Sequence, residues 1–160
     1  MSIVVSDTTP LNYLLLIEHV DVLPSLFGKL LVPPAVIAEM LHPKAPAVVS
    51  AWARSLPAWA EIRAPKTNLG LRIGRGEDEA ISLAVELADA ALLVDDRKAR
   101  NEAEIRGLLT LGTITILDLA DEAGLLDFEQ ATRRLLATNF HVEDALLEPV
   151  RAKVRARKKV

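Results

Sequence analysis

The sequence predicts a three-layer α/β domain in which helices cover both faces of a mostly parallel central sheet. Short aliphatic and β-branched runs alternate along the chain with longer segments whose apolar residues recur every three or four positions. This alternation is typical of parallel sheets, because each helix carries the chain back to the starting edge. Of the 160 residues, 51% are hydrophobic and none is cysteine, so we expect a large core without disulfides.

In the first half of the chain, strands are predicted at residues 3–5 and 30–32, and an alternating segment at 59–63 predicts an edge strand. The first strand is followed by Asp7, and Pro10 suits the first turn of the helix that comes next. The predicted helices of this half are at residues 10–17, 20–27, 33–41 and around Trp52.

The second half continues the alternation. Residues 65–76 contain three glycines and predict a loop, whereas 91–94 and 113–117 predict buried strands. The predicted helices are at residues 77–87, 97–106, 118–123, 128–136 and from 142 to about 158. The last of them should bend near Pro149, because proline disfavours a helix interior.

Charge is unevenly distributed along the chain. The last ten residues contain six basic side chains and no acidic one. Removing those six from the 19 basic residues leaves 13 against 22 acidic ones, although the whole chain carries only −3. An acidic body with a basic tail from about residue 150 differs from the evenly basic surface of a simple nucleic-acid binder. The tail is either a frayed, solvated helix end or a segment that contacts phosphates.

Acidic residues follow two of the predicted strands. Asp7 comes after the first, and Asp95 and Asp96 come after the strand at 91–94. The carboxyl ends of parallel strands meet at one edge of the sheet, where open α/β folds place their sites. Taken singly, each acid also fits an ordinary role as a helix cap or a solvated residue. Glu39, on the flank of a predicted helix, is a further candidate.

The helix predicted from Glu77 carries three acids in its first turn, and helical spacing sorts them. Asp78 lines up with Ser82 and Glu86 on the predicted solvent side, whereas Glu77 and Glu79 both flank the apolar face. Spacing alone does not choose between Glu77 and Glu79.

Several carboxylates in one pocket repel each other, and an unpaired buried charge is costly. A hard divalent cation relieves the repulsion; Mg²⁺ or Mn²⁺ bound by a few carboxylates also keeps waters and takes substrate phosphates as ligands. Such a centre activates water and stabilises the charge that develops during phosphodiester cleavage. The three histidines form no His-x-x-x-His pair and receive no role. The acids therefore predict a metal-dependent site for phosphodiester cleavage.

Four segments resemble the PIN-domain nucleases, particularly the branch of VapC-like toxins. They are VSDTTPL at 5–11, VPPAVIAE at 32–39, GEDEAISLA at 76–84 and LLVDDRKAR at 92–100, and the pair Gly112-Thr113 also fits. Their order and spacing extend over nearly the whole chain. The resemblance implies one PIN-like domain over residues 1–160, with the basic helical tail at its end.

The resemblance also implies a function, a metal-dependent endoribonuclease that cleaves single-stranded RNA with Mg²⁺ or Mn²⁺. The positions that match the acidic site of the family are Asp7, Glu39, Glu79, Asp95 and Asp96. On this basis Glu79 is preferred to Glu77, and Asp96 is an alternative to Asp95 as the direct ligand. Thr8 and Thr113 match hydroxyl positions near the site. The chain departs from the pattern of many toxins by having glutamate at position 79 and an Asp-Asp pair at 95–96.

Further expectations concern partners and location. A VapC-like toxin would have a cognate antitoxin protein that masks the site, and it would form a homodimer through apolar helix faces. We expect a cytoplasmic protein, because the sequence shows no signal peptide, no cysteine and no apolar stretch of roughly 20 residues that would span a membrane.

Two other functions are open at this point. In a haloacid-dehalogenase-type phosphohydrolase a strand ends in a nucleophilic aspartate, but Asp7-Thr8-Thr9 lacks the second aspartate two residues on. The other alternative is a catalytically weak PIN-like binding module, against which the filled acid positions argue. The cations at 97, 98 and 100 form either a solvated helix face or a surface that steers RNA phosphates.

Overall fold

The computed structural model describes residues 3–159 and confirms the α/β architecture with a parallel sheet flanked by helices. Residues 1, 2 and 160 of the predicted domain lie outside the described part. The five strands found there are β1 (Ile3–Ser6), β2 (Lys29–Val32), β3 (Ala60–Ile62), β4 (Ala91–Leu93) and β5 (Thr110–Leu111). The helices are α1 (Thr8–Leu16), α2 (Val22–Leu26), α3 (Pro34–Met40), α4 (Ala47–Arg54), α5 (Arg75–Leu87), α6 (Arg97–Ile105), α7 (Thr113–Glu122), α8 (Phe128–Leu136) and α9 (Asp144–Lys158).

The strand β1 lies at the centre of the sheet, whose order is β3-β2-β1-β4-β5 with every pair parallel. Val4 pairs with Leu30 of β2 on one side and with Ala91 of β4 on the other. Val4 and Val5 are both fully buried and belong to separate apolar clusters on the two faces. Alternation of side chains along the strand places the two residues on opposite faces, so β1 anchors both cores.

Residues 113–117 do not form the predicted last strand. They form the first half of α7, and β5 ends just before them. The β-branched run favoured a strand, but Ile116, Leu117 and Ala120 recur at helical spacing and are all fully buried. The start of the helix is also tied to the sheet, because Thr113 donates two hydrogen bonds to Asp95. Tertiary contacts therefore override the strand propensity here.

The loop before α5 covers a surface that we expected to be solvated. The helix begins two residues earlier than predicted, at Arg75. Its polar stripe of Asp78, Ser82 and Glu86 accepts hydrogen bonds from backbone N–H groups of the loop. The three donors are Leu71, Leu69 and Lys66, at 3.0, 2.9 and 2.7 Å respectively. The stripe thus fastens the loop along α5.

The basic tail is a docked helix, so the expectation of a frayed end is wrong for the residues up to 159. Leu147 and Val154 of α9 are buried in the core. Lys153 Nζ and Arg157 Nη1 each lie 3.0 Å from a carboxylate oxygen of Asp118, whose side chain is only 5% exposed. Cations of the tail therefore neutralise acids of the body within one chain.

The other predicted elements lie within a few residues of the observed ones, and β3 is an edge strand as expected. Pro149 lies inside α9. Among residues 3–159, no helix has both the length and the apolar character needed to cross a membrane.

Candidate metal centre

Asp7 lies between β1 and α1, at the carboxyl edge of the sheet. Its backbone N–H donates to the carbonyl oxygen of Leu93 at 2.9 Å, which ties the end of β1 to β4. The residue is only 4% exposed. Burial, supported by the negative charges of Glu77, Glu39 and Asp95, raises the pKa of its carboxyl from 3.8 to about 7, although a backbone hydrogen bond partly offsets the shift. Keeping Asp7 ionised in the folded protein therefore costs free energy.

Asp95 follows β4 at the same edge, as the two parallel strands predicted. Its Oδ1 accepts the backbone N–H of Thr113 at 2.8 Å, and its Oδ2 accepts the Thr113 hydroxyl at 2.7 Å. Burial raises the pKa of Asp95, while these hydrogen bonds and the charge of Arg100 work in the opposite direction. The close approach depends on Gly112, because a Cβ there would lie 3.1 Å from Asp95 Oδ1. The start of α7 thus fixes the orientation of this carboxylate.

Glu39 reaches the site from α3. Its Oε2 accepts the hydroxyl of Thr8 at 2.6 Å, so Thr8 and Thr113 both lie at the site, where the resemblance placed hydroxyl groups. The other oxygen lies against α5 at Gly76, where an added Cβ would come within 2.6 Å of Glu39 Oε1. The small residue lets α3 and α5 approach closely enough to seat the carboxylate between them.

Glu77 belongs to the same cluster. Its charge raises the pKa of Asp7, and its own pKa is raised by burial and by the charges of Asp96 and Glu39. Its Oε1 accepts the backbone N–H of Gly74 at 2.9 Å, which closes the first turn of α5. Of the two glutamates that helical spacing left undecided, this one lies in the electrostatic neighbourhood of Asp7.

Glu79 is directed toward α3. Its Oε1 accepts the backbone N–H of Ala35 at 2.9 Å, and its Oε2 lies 3.9 Å from Arg75 Nε. The N–H of Ala35 is one of the first-turn donors that have no partner inside a helix. The buried carboxylate of Glu79 thus stabilises the beginning of α3, and its predicted role as a metal ligand stays a prediction.

Asp96 is the exposed neighbour of Asp95 and begins α6. Its Oδ2 accepts the backbone N–H of Ala99 at 3.0 Å, which is the arrangement of a helix N-cap. Its charge also raises the pKa of Glu77. The two aspartates therefore act on different members of the cluster, because the charge of Asp95 raises the pKa of Asp7 and that of Asp96 raises the pKa of Glu77.

The acidic residues raise one another's pKa, but they do not form a complete metal-binding site. Within residues 3–159, no three acidic or histidine side chains lie close enough together to hold an ion as they stand. Equally, no lysine or arginine of the described residues forms an ion pair with Asp7, Glu39, Glu77, Asp95 or Asp96. The cluster thus offers only oxygen donors, and no ion pair among the described residues neutralises it. Both properties fit a hard divalent cation such as Mg²⁺ or Mn²⁺.

Sequence reasoning missed two features of this region. One is Gly76, which stands directly before the acids of α5 and whose missing side chain makes room for Glu39. The other is an open groove of about 730 Å³ beside Asp95 and Asp96, to which Tyr13 and Phe140 contribute aromatic rings. No local pattern links two aromatic residues so far apart in the sequence.

The chain is similar to a known protein family and to a solved structure. A family model described as DUF3368: PIN domain matches residues 3–156. Among solved structures, the chain is similar to a PilT N-terminus domain protein from the hyperthermophilic archaeon Sulfolobus solfataricus. The TM-score is 0.48 at 16% sequence identity, and the match covers 89% of this chain and 100% of that one. A comparison with curated proteins found no match.

Proposed function

Because the chain belongs to the PIN-domain family DUF3368, we propose that it is an endoribonuclease that cleaves single-stranded RNA with Mg²⁺ or Mn²⁺. PIN domains are typically nucleases and generally use divalent metal ions. The observation that carries the proposal is Asp7, a buried carboxylate whose pKa is raised by burial and by the negative charges of Glu77, Glu39 and Asp95, and which forms no ion pair within residues 3–159. An uncompensated buried acid is costly, and a bound dication would remove that cost.

The proposed ligand set is Asp7, Asp95 and Glu77, with Glu39 and Asp96 at its border. Glu77 takes the place of Glu79 in this set, because the charge of Glu77 raises the pKa of Asp7, whereas the carboxylate of Glu79 is directed toward α3. A divalent ion bound here would supply an activated water and stabilise charge on the phosphate during cleavage.

The residues of the chain orient this centre. Thr113 holds Asp95 through both carboxylate oxygens. The hydroxyl of Thr8 directs Glu39 into the site, and the N–H of Gly74 positions Glu77. With a pKa of about 7, Asp7 is only partly ionised at neutral pH when no ion is bound, and it must give up its proton to become a ligand.

A ribonuclease assay tests the proposal. Wild type should cleave a labelled single-stranded RNA in the presence of Mn²⁺, and EDTA or Asp7→Asn should abolish cleavage. Glu77→Gln should lose more activity than the matched variant Glu79→Gln, whose amide oxygen can still accept the N–H of Ala35. Equal activity in wild type and Asp7→Asn would indicate a contaminating nuclease and refute the proposal, whereas RNA binding without cleavage would favour the weak binding module.

We also propose that the protein is the toxin of a toxin–antitoxin pair in the cytoplasm, a homodimer whose antitoxin masks the site. The support is the resemblance of its four motif segments to VapC-like toxins. Expression of wild type in a bacterial host should arrest growth, expression of Asp7→Asn should not, and light scattering should give twice the mass of the chain. The haloacid-dehalogenase alternative gains no support from the family match.

A further inference from the structure

A groove adjoins the proposed metal centre and extends well beyond it. It has a volume of about 730 Å³ and begins at Asp95 and Asp96. Its walls come from α1, α6, the start of α7, the segment before α9 and the first half of α9. Of the lining residues, the chemistry proposed above uses only these two aspartates, so the rest of the groove has no assigned role.

One wall of the groove is aromatic and apolar. The rings of Tyr13 and Phe140 meet edge to face, with centroids 4.9 Å apart and an interplanar angle of 80°. The Tyr13 hydroxyl donates to Asn139 Oδ1 at 2.7 Å, which secures the segment before α9 against α1. Leu146 and Val150 of α9 continue the wall, and Leu146 is exposed. A flat ring of a ligand could pack here against ordered apolar side chains.

The lining of the groove also includes cations. Arg97 and Arg100 both line the groove, and neither forms an ion pair with another described residue. In contrast, five of the six basic residues of the tail are paired with acids: Arg151, Lys153, Arg155, Arg157 and Lys158. The groove therefore holds two cations without an ion-pair partner among the described residues, and Arg100 is close enough to Asp95 to affect its pKa.

We propose that this groove binds a nucleotide next to the cleaved phosphate of a single-stranded RNA. The base would stack against the wall formed with Tyr13 and Phe140, and its phosphate would contact Arg97 and Arg100. Stacking on aromatic rings tolerates any base but needs a base that is not paired, so the groove selects single strands rather than a sequence. The inference rests on the proposed function, because it assigns the groove to the substrate of that same centre.

Binding can be measured without cleavage. The experiment uses Asp7→Asn protein in EDTA and the fluorescence anisotropy of a labelled RNA of eight nucleotides. Phe140→Ala and Arg100→Gln should each weaken binding roughly tenfold, the effect of losing one stacked base or one phosphate contact. Arg155→Gln removes a cation outside the groove, so it should change the affinity for RNA less than about twofold. A duplex of the same sequence should bind at least about tenfold more weakly than the single strand.

Two additional measurements separate binding from folding. If Phe140→Ala lowers the thermal midpoint strongly, Phe140→Leu keeps apolar packing without the aromatic ring and should still weaken binding. Arg100→Gln should also reduce the slope of log affinity against log salt by about 1, which a change in packing alone would not do.

The outcomes distinguish the groove from the nuclease proposal. Unchanged binding by both Phe140→Ala and Arg100→Gln, or equal affinity for duplex and single strand, would overturn the groove assignment even if wild type cleaves RNA. Binding that depends on Phe140 and Arg100 in a protein that never cleaves would support the groove and reject the nuclease.

Discussion

Replacement of Asp7 by asparagine should stabilise the metal-free protein, by an amount that grows as the pH rises. The carboxyl is almost completely buried and its pKa is raised from 3.8 to about 7, first by burial and then by neighbouring acids. The folded state therefore prefers the protonated form. For a raised pKa, the contribution to stability is fully present below pH 3.8 and is lost as the pH rises through about 7.

The magnitude follows from linkage. One unit of pKa shift corresponds to about 1.4 kcal/mol, so ionising Asp7 should cost the folded state about 2–3 kcal/mol more at pH 8 than at pH 5. Asp7 is the N-cap residue of α1 and makes no side-chain cap hydrogen bond. Asparagine has nearly the same shape and is an equally good N-cap residue, but it carries no charge. The raised pKa values of Asp95 and Glu77 act in the same direction and the lowered pKa of His19 in the opposite direction. These groups are present in wild type and variant, so the difference between the two proteins reports mainly on Asp7.

Urea denaturation in EDTA at pH 5, 6, 7 and 8 measures the effect. The free energies of unfolding of wild type and Asp7→Asn should diverge as the pH rises. Mn²⁺ at pH 8 should close the gap by stabilising wild type alone. Asp21→Asn is the matched control, because Asp21 also precedes a helix without a side-chain cap bond but is exposed, so it should show no divergence. Parallel pH profiles for wild type and Asp7→Asn would refute the claim that Asp7 is an uncompensated buried acid.

Two further predictions concern the packing around the site and the docked tail. Gly76→Ala should leave the protein folded but weaken Mn²⁺ binding in calorimetric titration, because the new Cβ would displace the Glu39 carboxylate, which lies 2.6 Å from that position; unchanged affinity would mean that Glu39 does not contribute. The double change of Lys153 and Arg157 to alanine should lower the free energy of unfolding by about 3 kcal/mol, because buried Asp118 would lose both cation partners. Adding Asp118→Asn should restore part of that loss in urea denaturation, because Arg157 also pairs with Asp121 at 2.9 Å. No recovery would show that the ion pairs of Asp118 do not hold α9.

The centre of the sheet was predictable because its signals are local. The β-branched run before Asp7 and the aliphatic run before Asp95 are each bounded by helix-starting residues. Once both strands are parallel and adjacent, the two aspartates must share an edge. The prediction of a strand at residues 113–117 was wrong for the opposite reason. The start of the helix found there makes contacts with a distant carboxylate, Asp95, that composition does not reveal.

Helical spacing did not choose between Glu77 and Glu79, and the prediction of Glu79 as a metal ligand rests on the resemblance alone. Both flank the apolar face of α5, and the difference arises from where α3 packs, since the N–H of Ala35 engages Glu79. The groove was even less predictable from the sequence, because the hydrogen bond from Tyr13 to Asn139 joins residues 126 positions apart. Features of this kind depend on how elements pack, whereas motifs describe single elements.

Two equally buried aspartates show how the chain distributes charge. Asp7 and Asp118 are each 4% exposed. Asp118 is held by two cations of the tail, so its charge is compensated from within the chain. Asp7 lies among acids and has no cation partner in residues 3–159, although the tail alone carries six basic residues that pairing could have used. The charge of Asp118 is thus compensated within the chain, whereas the carboxylate of Asp7 has no such partner among the described residues. An added divalent cation could bind there, which is what the proposed metal-dependent nuclease requires.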